Sequence, residues 1–174
     1  MLIDLFDILQ EDKCIKEYTP SISFDAFKIN NDVYPISDYK LVLKFEKGEK
    51  KHIVFTANGY VKLKMNCDKC LEEVEHDIII DYFKDLDMSK TSYERIADLD
   101  EISYLDNTVF DFDNFIYNEI LVNLPMKVLC KDNCKGICNR CGANLNKGSC
   151  QCENAELDPR MSKILDVFNQ FKEV

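Results

Sequence analysis

Between Leu129 and Cys152, in LCKDNCKGICNRCGANLNKGSCQC, the chain places six of its nine cysteines. Cys130 and Cys134 are separated by three residues, Cys138 and Cys141 by two, and Cys150 and Cys152 by one. Three closely spaced thiol pairs with glycines among them read as a metal site. What they do depends on the compartment, because closely spaced cysteines pair as disulfides where conditions are oxidising and hold metal where they are reducing. The N-terminus, MLIDLFDILQEDK, carries Asp4 and Asp7 where a secretory signal needs a cationic start and an unbroken apolar segment. No apolar run reaches the ~18 residues of a membrane span. A cytoplasmic protein with reduced thiols is the expectation, and the odd count leaves at least one cysteine outside any pairing.

A chain of 174 residues that is 46% hydrophobic is too apolar to be disordered and long enough to bury a core. The net charge of −10 argues against broad adhesion to nucleic acid, which rests on phosphate neutralisation by Lys and Arg. That charge is uneven. Eleven acids face three bases from Asp81 to Glu119, whereas five bases face one acid from Lys127 to Lys147.

Two readings of Asp4–Leu9 stand, a short capped helix or a leading strand. Alternation of Ile22, Phe24 and Ala26 with polar residues predicts a strand from Ser21. Tyr39, Leu41, Leu43 and Phe45 predict another, with a turn at Gly48 and a return strand through Ile53, Phe55 and Ala57. Asn58-Gly59 predicts a two-residue type I′ turn, which needs positive φ at both positions. A strand over Tyr60–Asn66, with Val61, Leu63 and Met65 on one face, then runs into Cys67-Asp68-Lys69-Cys70. A further strand over Val74–Phe83 places that CxxC at a hairpin tip. Residues 84–111 read as an acidic loop with a short strand at Glu101–Leu105, a solvated surface in preference to an acidic recognition face. Asp113 is positioned to cap a helix carrying Phe115, Ile116 and Ile120, ended by Pro125. Asp158-Pro159 starts a last helix, with Met161, Ile164, Leu165, Phe168 and Phe171 at helical spacing.

The fold class expected is therefore α+β: an antiparallel β meander with a covering helix, then a small cysteine-rich, zinc-ribbon-like module and a C-terminal helix. Residues 1–125 form the first domain in this reading and residues 126–174 the second.

Structural zinc takes four Cys or His ligands in a tetrahedron, commonly two from each of two short turns. Cys138-Asn139-Arg140-Cys141-Gly142 has the form of one such turn, and Cys150 and Cys152 supply the other two ligands. The remaining pairs, Cys67 with Cys70 and Cys130 with Cys134, make a second site, leaving Cys14 as an inert thiol. An alternative division joins Cys130 and Cys134 to Cys138 and Cys141, and pairing arithmetic does not separate the two. An iron–sulfur cluster and a reversible disulfide are the competing uses of the C-terminal cysteines, and a lone CxxC also suits a redox pair. His76, six residues past Cys70, is a less favoured ligand than any cysteine. Full thiolate coordination leaves no open position, so the metal is structural. With His52 and His76 the only histidines, and no GxSxG, HExxH or phosphate-binding loop, no enzyme is read here.

The chain resembles the YceD family, the large-subunit ribosomal RNA accumulation proteins, in a cysteine-rich form. The resemblance rests on CDKCLEEV from Cys67, LPMKVLC from Leu124, CKGICNRCGANLN from Cys134, CQC from Cys150 and DPRM from Asp158. Ile137 and Asn139 are mild departures that remove no ligand. It implies a bacterial, non-enzymatic factor needed for 23S rRNA processing or accumulation and for large ribosomal subunit assembly. Its expected partners are 23S rRNA or its precursor and large-subunit ribosomal proteins, with no membrane and no small-molecule substrate. Lys127, Lys131, Lys135, Arg140 and Lys147 are the candidate phosphate contacts, weighed against a purely solubilising role. Two rival functions stand beside it, a redox-switched zinc–thiolate chaperone and a general zinc-bearing adaptor.

Overall fold

The computed structural model describes residues 1–11, 14–98, 102–150 and 152. In chain order the elements are β1 (Leu2–Asp4), α1 (Phe6–Gln10), β2 (Ile15–Tyr18), β3 (Ala26–Ile29), β4 (Asp32–Lys47), β5 (His52–Asn66), β6 (Glu73–Asp87), α2 (Ser92–Ala97), β7 (Leu105–Asp106), β8 (Val109–Asp111) and α3 (Phe112–Asn123). The protein is thus mostly antiparallel sheet with a few helices. Among the described residues no helix is long and apolar enough to cross a membrane. Two compact units emerge: Met1–Met65 with Glu73–Val128, and Asn66–Glu72 with the described residues from Leu129 onward.

The first unit is built on long strands. The larger sheet runs β2-β4-β5-β6, with β3 paired on β4, and a smaller one runs β1-β8-β7. On β4 and β5 every second side chain is buried: Leu41, Leu43 and Phe45, then Ile53, Phe55, Ala57, Val61 and Leu63. The period of two is that of a strand with one face on the core. Phe45 and Phe55 stack at 4.7 Å across the pair, and Phe110 of β8 meets both rings edge-on at 5.2 and 4.9 Å. α3 covers this face through Phe112, Phe115, Ile116 and Ile120, with Phe115 set edge-on to Phe55 at 5.0 Å. Each such side chain contributes roughly 1.5–3 kcal/mol on burial, so the sheet and α3 are held by one aromatic core.

Asn58-Gly59 is not a turn. β5 runs through it without a break, with Asn58 opposite Val42 and Gly59 opposite Leu41. The parity of the sequence explains why: a two-residue turn would set Ala57 directly across from Tyr60 and so on the same face, turning Lys62 and Lys64 inward. The observed inward set is Ala57, Val61, Leu63 and Met65, which only a continuous strand provides. Gly59 has φ +148°, and a Cβ built on it would lie 1.9 Å from the Lys40 carbonyl oxygen, so this glycine serves a close strand approach.

The chain from Ser21 joins no ladder before Asp25, whose carbonyl accepts from the Ile36 N–H at 2.9 Å, although Ile22 and Phe24 pack on the core. The Ser23 N–H donates to Asp113 Oδ1 at 3.0 Å, and the β3–β4 ladder starts with Ala26 opposite Pro35. The hairpin turn is at Asn30, with φ 52°. Asp4–Leu9 is both things at once, the end of a strand and most of a helix. Residues 84–111 hold more order than a loop: β6 continues to Asp87, Thr91 and Glu94 close a capping box on α2, and β7 and β8 pair across a turn at Asn107 with φ 52°. The cap of α3 is Asp111, which accepts from the N–H groups of Asp113 and Asn114, while Asp113 instead holds the N-terminal ammonium group and Ser23. The helix expected from Pro159 lies outside the described residues.

Candidate metal centres

The second unit is made of short turns, and their backbone geometry aims the sulfurs. In the Cys67–Cys70 turn the Leu71 N–H donates to the Cys67 carbonyl at 2.9 Å and the Cys67 N–H to Glu72 at 2.8 Å, with Leu71 at φ +60°. The Cys138–Cys141 turn repeats the pattern: Gly142 N–H donates to the Cys138 carbonyl at 2.9 Å, and Gly142 takes φ +72°. A turn of this kind points two thiols and several N–H groups toward one spot. The Arg140 N–H reaches the Cys138 sulfur at 3.4 Å. Gly136, at φ +78°, lets the Ile137 N–H reach the Lys69 carbonyl at 3.1 Å and so ties the first turn to the C-terminal stretch.

Eight sulfurs gather into two sets of four, Cys67 with Cys70, Cys130 and Cys134, and Cys138 with Cys141, Cys150 and Cys152. Within each set all four lie within 4.8 Å of one another. Cys67 and Cys134 are 3.8 Å apart, and Cys70 and Cys130 3.5 Å. A tetrahedral ion with metal–sulfur bonds of about 2.3 Å sets its ligands roughly 3.8 Å apart, so the spacing suits a single ion. All nine cysteines are free thiols, and Cys14, half-buried on the first unit's core, belongs to neither set. Of the histidines, His52 sits 3.0 Å from Asp85, and neither it nor His76 joins a sulfur set.

The sets differ in enclosure. Cys67, Cys70 and Cys134 are buried, with Leu129 and Cys130 packed on them, whereas Cys141 in the second set is exposed. Burial pushes the Cys67 thiol up, but N–H groups of Cys130, Lys69 and Cys70 outweigh it and bring the pKa to about 6. Cys138 is also brought to about 6, by the N–H groups of Cys141 and Arg140. Burial and the surrounding sulfurs push Cys130 up to about 12, and a hydrogen bond to Cys141 with burial does the same to Cys152. Each set thus holds readily ionised thiols, Cys67 with Cys134 also lowered in the first and Cys138 in the second, beside thiols that an ion must deprotonate. In the first set Cys130 and Cys70, both raised, are protonated at neutral pH. Seating a divalent ion there releases at least two protons, so affinity should fall about a hundredfold or more from pH 7 to pH 6. Competition against a chromophoric chelator at the two pH values measures it, and a pH-independent affinity would contradict this thiol chemistry.

Several supporting residues were not singled out from sequence. The Asn146 amide donates to the Cys134 sulfur at 3.2 Å, and its oxygen accepts from the Lys135 N–H at 2.9 Å. Lys69 reaches the Cys134 carbonyl at 3.4 Å. The asparagines of GANLN were the available signal, since short amide side chains hold turns. Of the candidate phosphate contacts, Lys131, Lys135 and Arg140 are exposed on this unit, and Lys147 is there too but paired to Glu72 at 2.6 Å. Lys127 is exposed on the first unit. Lys135 and Lys147 line a shallow cleft of about 370 Å³ with Asn146, Gly148 and Ser149.

Residues 55–168, about two thirds of the chain and including both sulfur sets, match the family described as large ribosomal RNA subunit accumulation protein YceD. The chain belongs to the YceD family. One relative in it, the large ribosomal RNA subunit accumulation protein YCED homolog 1, chloroplastic, of Arabidopsis thaliana, is 38% identical over 48 residues, covering 28% of this chain and 15% of that protein. Uncharacterized proteins of Mycobacterium bovis and Mycobacterium tuberculosis are 21% identical over 101 residues, 58% of this chain and 48% of theirs. The chain therefore spans less than half the length of each of these relatives. No solved structure matches.

Proposed function

We propose that this YceD-family chain is a non-enzymatic factor needed for 23S rRNA processing or accumulation and large ribosomal subunit assembly in the bacterial cytoplasm. It acts by binding RNA or ribosomal proteins. The observation that carries the reading is the family match over residues 55–168. Two structural zinc ions, one in each sulfur set, hold the second unit as a zinc-ribbon-like module in this reading. All-thiolate donors at the spacing of one tetrahedral ion support zinc over a cluster, which needs room for bridging sulfides.

The module's charge bears on how it meets RNA. Its described residues carry Lys69, Lys131, Lys135, Arg140 and Lys147 against Asp68, Glu72 and Asp132. Two ions in all-thiolate sites add formal negative charge, so part of that basic set balances the sulfurs. Phosphate contact falls to the bases around the cleft of Lys135 and Lys147 and to Arg140, and non-specific affinity is correspondingly modest. Pull-down from growing cells with RNA retained should recover 23S precursor and large-subunit proteins. Their absence, beside a clean unrelated partner, would remove the proposal. Charge reversal at Lys135 and Arg140 should lower RNA recovery severalfold and leave zinc content unchanged, and unchanged recovery would count against direct contact.

A second reading is favoured by one observation, the exposure of Cys141. An exposed thiolate at a metal site is open to oxidant, as a redox-switched chaperone requires. Peroxide titration separates the readings: retention of both ions without holdase activity supports the assembly factor, and coupled zinc release and holdase activity supports the switch.

A further inference from the structure

The inward side chains of β6, Ile78, Ile80 and Leu86, are buried as a half-covered strand requires. Its outward side chains break the usual rule. Ile79 is 62% exposed and Phe83 69% exposed, on the same face four residues apart, with Asp81 between them and Asp77 and Asp85 on either side. One exposed apolar side chain on a sheet is ordinary. Two at a repeat of four, interleaved with Asp77, Asp81 and Asp85 at the same repeat, form a pattern. Among the described residues β6 is the terminal strand of its sheet, so these side chains lie beside one neighbouring described strand and not two.

The carboxylates decide what can lie there. Lys62 of β5 reaches Glu75 and Asp77 loosely, at 3.9 and 3.8 Å, and Lys64 reaches Glu73 at 3.6 Å, so the neighbouring strand already presents cations to one end of this column, while the His52 ring hydrogen-bonds Asp85 at 3.0 Å. Asp81 has no ion pair among the described residues. A phosphate backbone would meet repulsion here. An extended protein segment whose every second residue is in turn basic and apolar would set its apolar groups on Ile79 and Phe83 and its cations on Asp77, Asp81 and Asp85.

We propose that the outer face of β6 is a docking surface for a Lys/Arg-rich protein segment, anchored on Ile79 and Phe83. The surface lies within the first unit, holds no ligand cysteine, and requires no role in ribosome assembly.

The test uses isotopically labelled full-length protein and three probes: a short peptide with lysine and leucine in turn at every second position and serine between them, its glutamate–leucine counterpart, and a short single-stranded RNA. The lysine peptide should give saturable NMR shifts centred on Ile79, Asp81 and Phe83. Replacing both anchors (Ile79→Ser with Phe83→Ser) should weaken it about tenfold. Asp77→Lys with Asp81→Lys should weaken it at least as much, while Asp106→Lys, a control on another strand, leaves it unchanged. Unfolding midpoints check that these exposed substitutions leave the fold intact. Equal binding of the glutamate peptide, RNA shifts at these residues, concentration-dependent shifts with no peptide (a second copy of the chain), or equal weakening by the control would each overturn the proposal.

Discussion

If each sulfur set holds zinc as proposed, replacing Cys67 and Cys70 together with serine should take the protein from two zinc ions per chain to one. The first sulfur set would lose two of four ligands from positions that are 0% and 5% exposed, leaving two buried hydroxyls without a metal partner. Structural zinc is worth on the order of 10 kcal/mol of apparent free energy near neutral pH, far more than turns of this length supply by themselves. Amide exchange protection over Leu129–Ile137 should therefore collapse. The aromatic core around Phe55 and Phe115 contains no ligand cysteine and should keep its near-ultraviolet dichroism. Cys14→Ser, outside both sets, should change neither metal content nor protection. The double replacement also discriminates between the two divisions of the cysteines. If Cys130 and Cys134 were bound with Cys138 and Cys141, that ion would stay in place when Cys67 and Cys70 are lost, and protection over Leu129–Ile137 would survive. Metal analysis of the purified variants reads the outcome directly.

The sulfur pairs were legible in the sequence because a turn of one to three residues between cysteines brings two sulfurs to one point, whereas which pairs share a set depends on how distant turns meet and stayed open. What surrounds the sulfurs was less legible. Asn146 meets Cys134, and Lys69 meets the Cys134 carbonyl, only after Gly136 has brought the distant turns together. In the first unit the alternation of Leu41, Leu43 and Phe45, and of Val61, Leu63 and Met65, marked real strands, since a one-residue slip would turn the whole set outward. The errors came where a local signal was read without its neighbours. Ser21–Phe24 has a strand's alternation but no partner strand, and the ladder begins at Asp25. Asp113 looked like a cap, yet Asp111 has the N–H groups in reach and Asp113 is taken up by the N-terminus and Ser23. The capping box of Thr91 and Glu94 was present in the sequence and hidden by the acidity of its surroundings.

Gly59→Ala should be among the most damaging single substitutions in the sheet, although it adds one methyl group to a residue that reads as a surface turn. Two costs combine. The backbone at φ +148° is a conformation that L side chains rarely adopt, and holding one there costs about 1–3 kcal/mol. The new Cβ would also meet the Lys40 carbonyl oxygen at 1.9 Å and the Leu41 Cα at 3.0 Å, so β4 and β5 must separate at the middle of their ladder. Overpacking of that kind typically costs about another 1–3 kcal/mol. Because Leu41, Val61 and Leu63 are buried on either side of the contact, the strain reaches the core and has no loop to relax into. The expected result is a loss of roughly 2–6 kcal/mol in urea unfolding, enough to unfold much of a marginally stable domain. Asn58→Ala, next door, should cost well under 1 kcal/mol, since Asn58 is exposed and in an ordinary strand conformation. A type I′ turn predicts a different outcome, with both positions sensitive, because both would need positive φ. Comparable losses at Asn58 and Gly59 would therefore restore the turn and contradict the continuous strand.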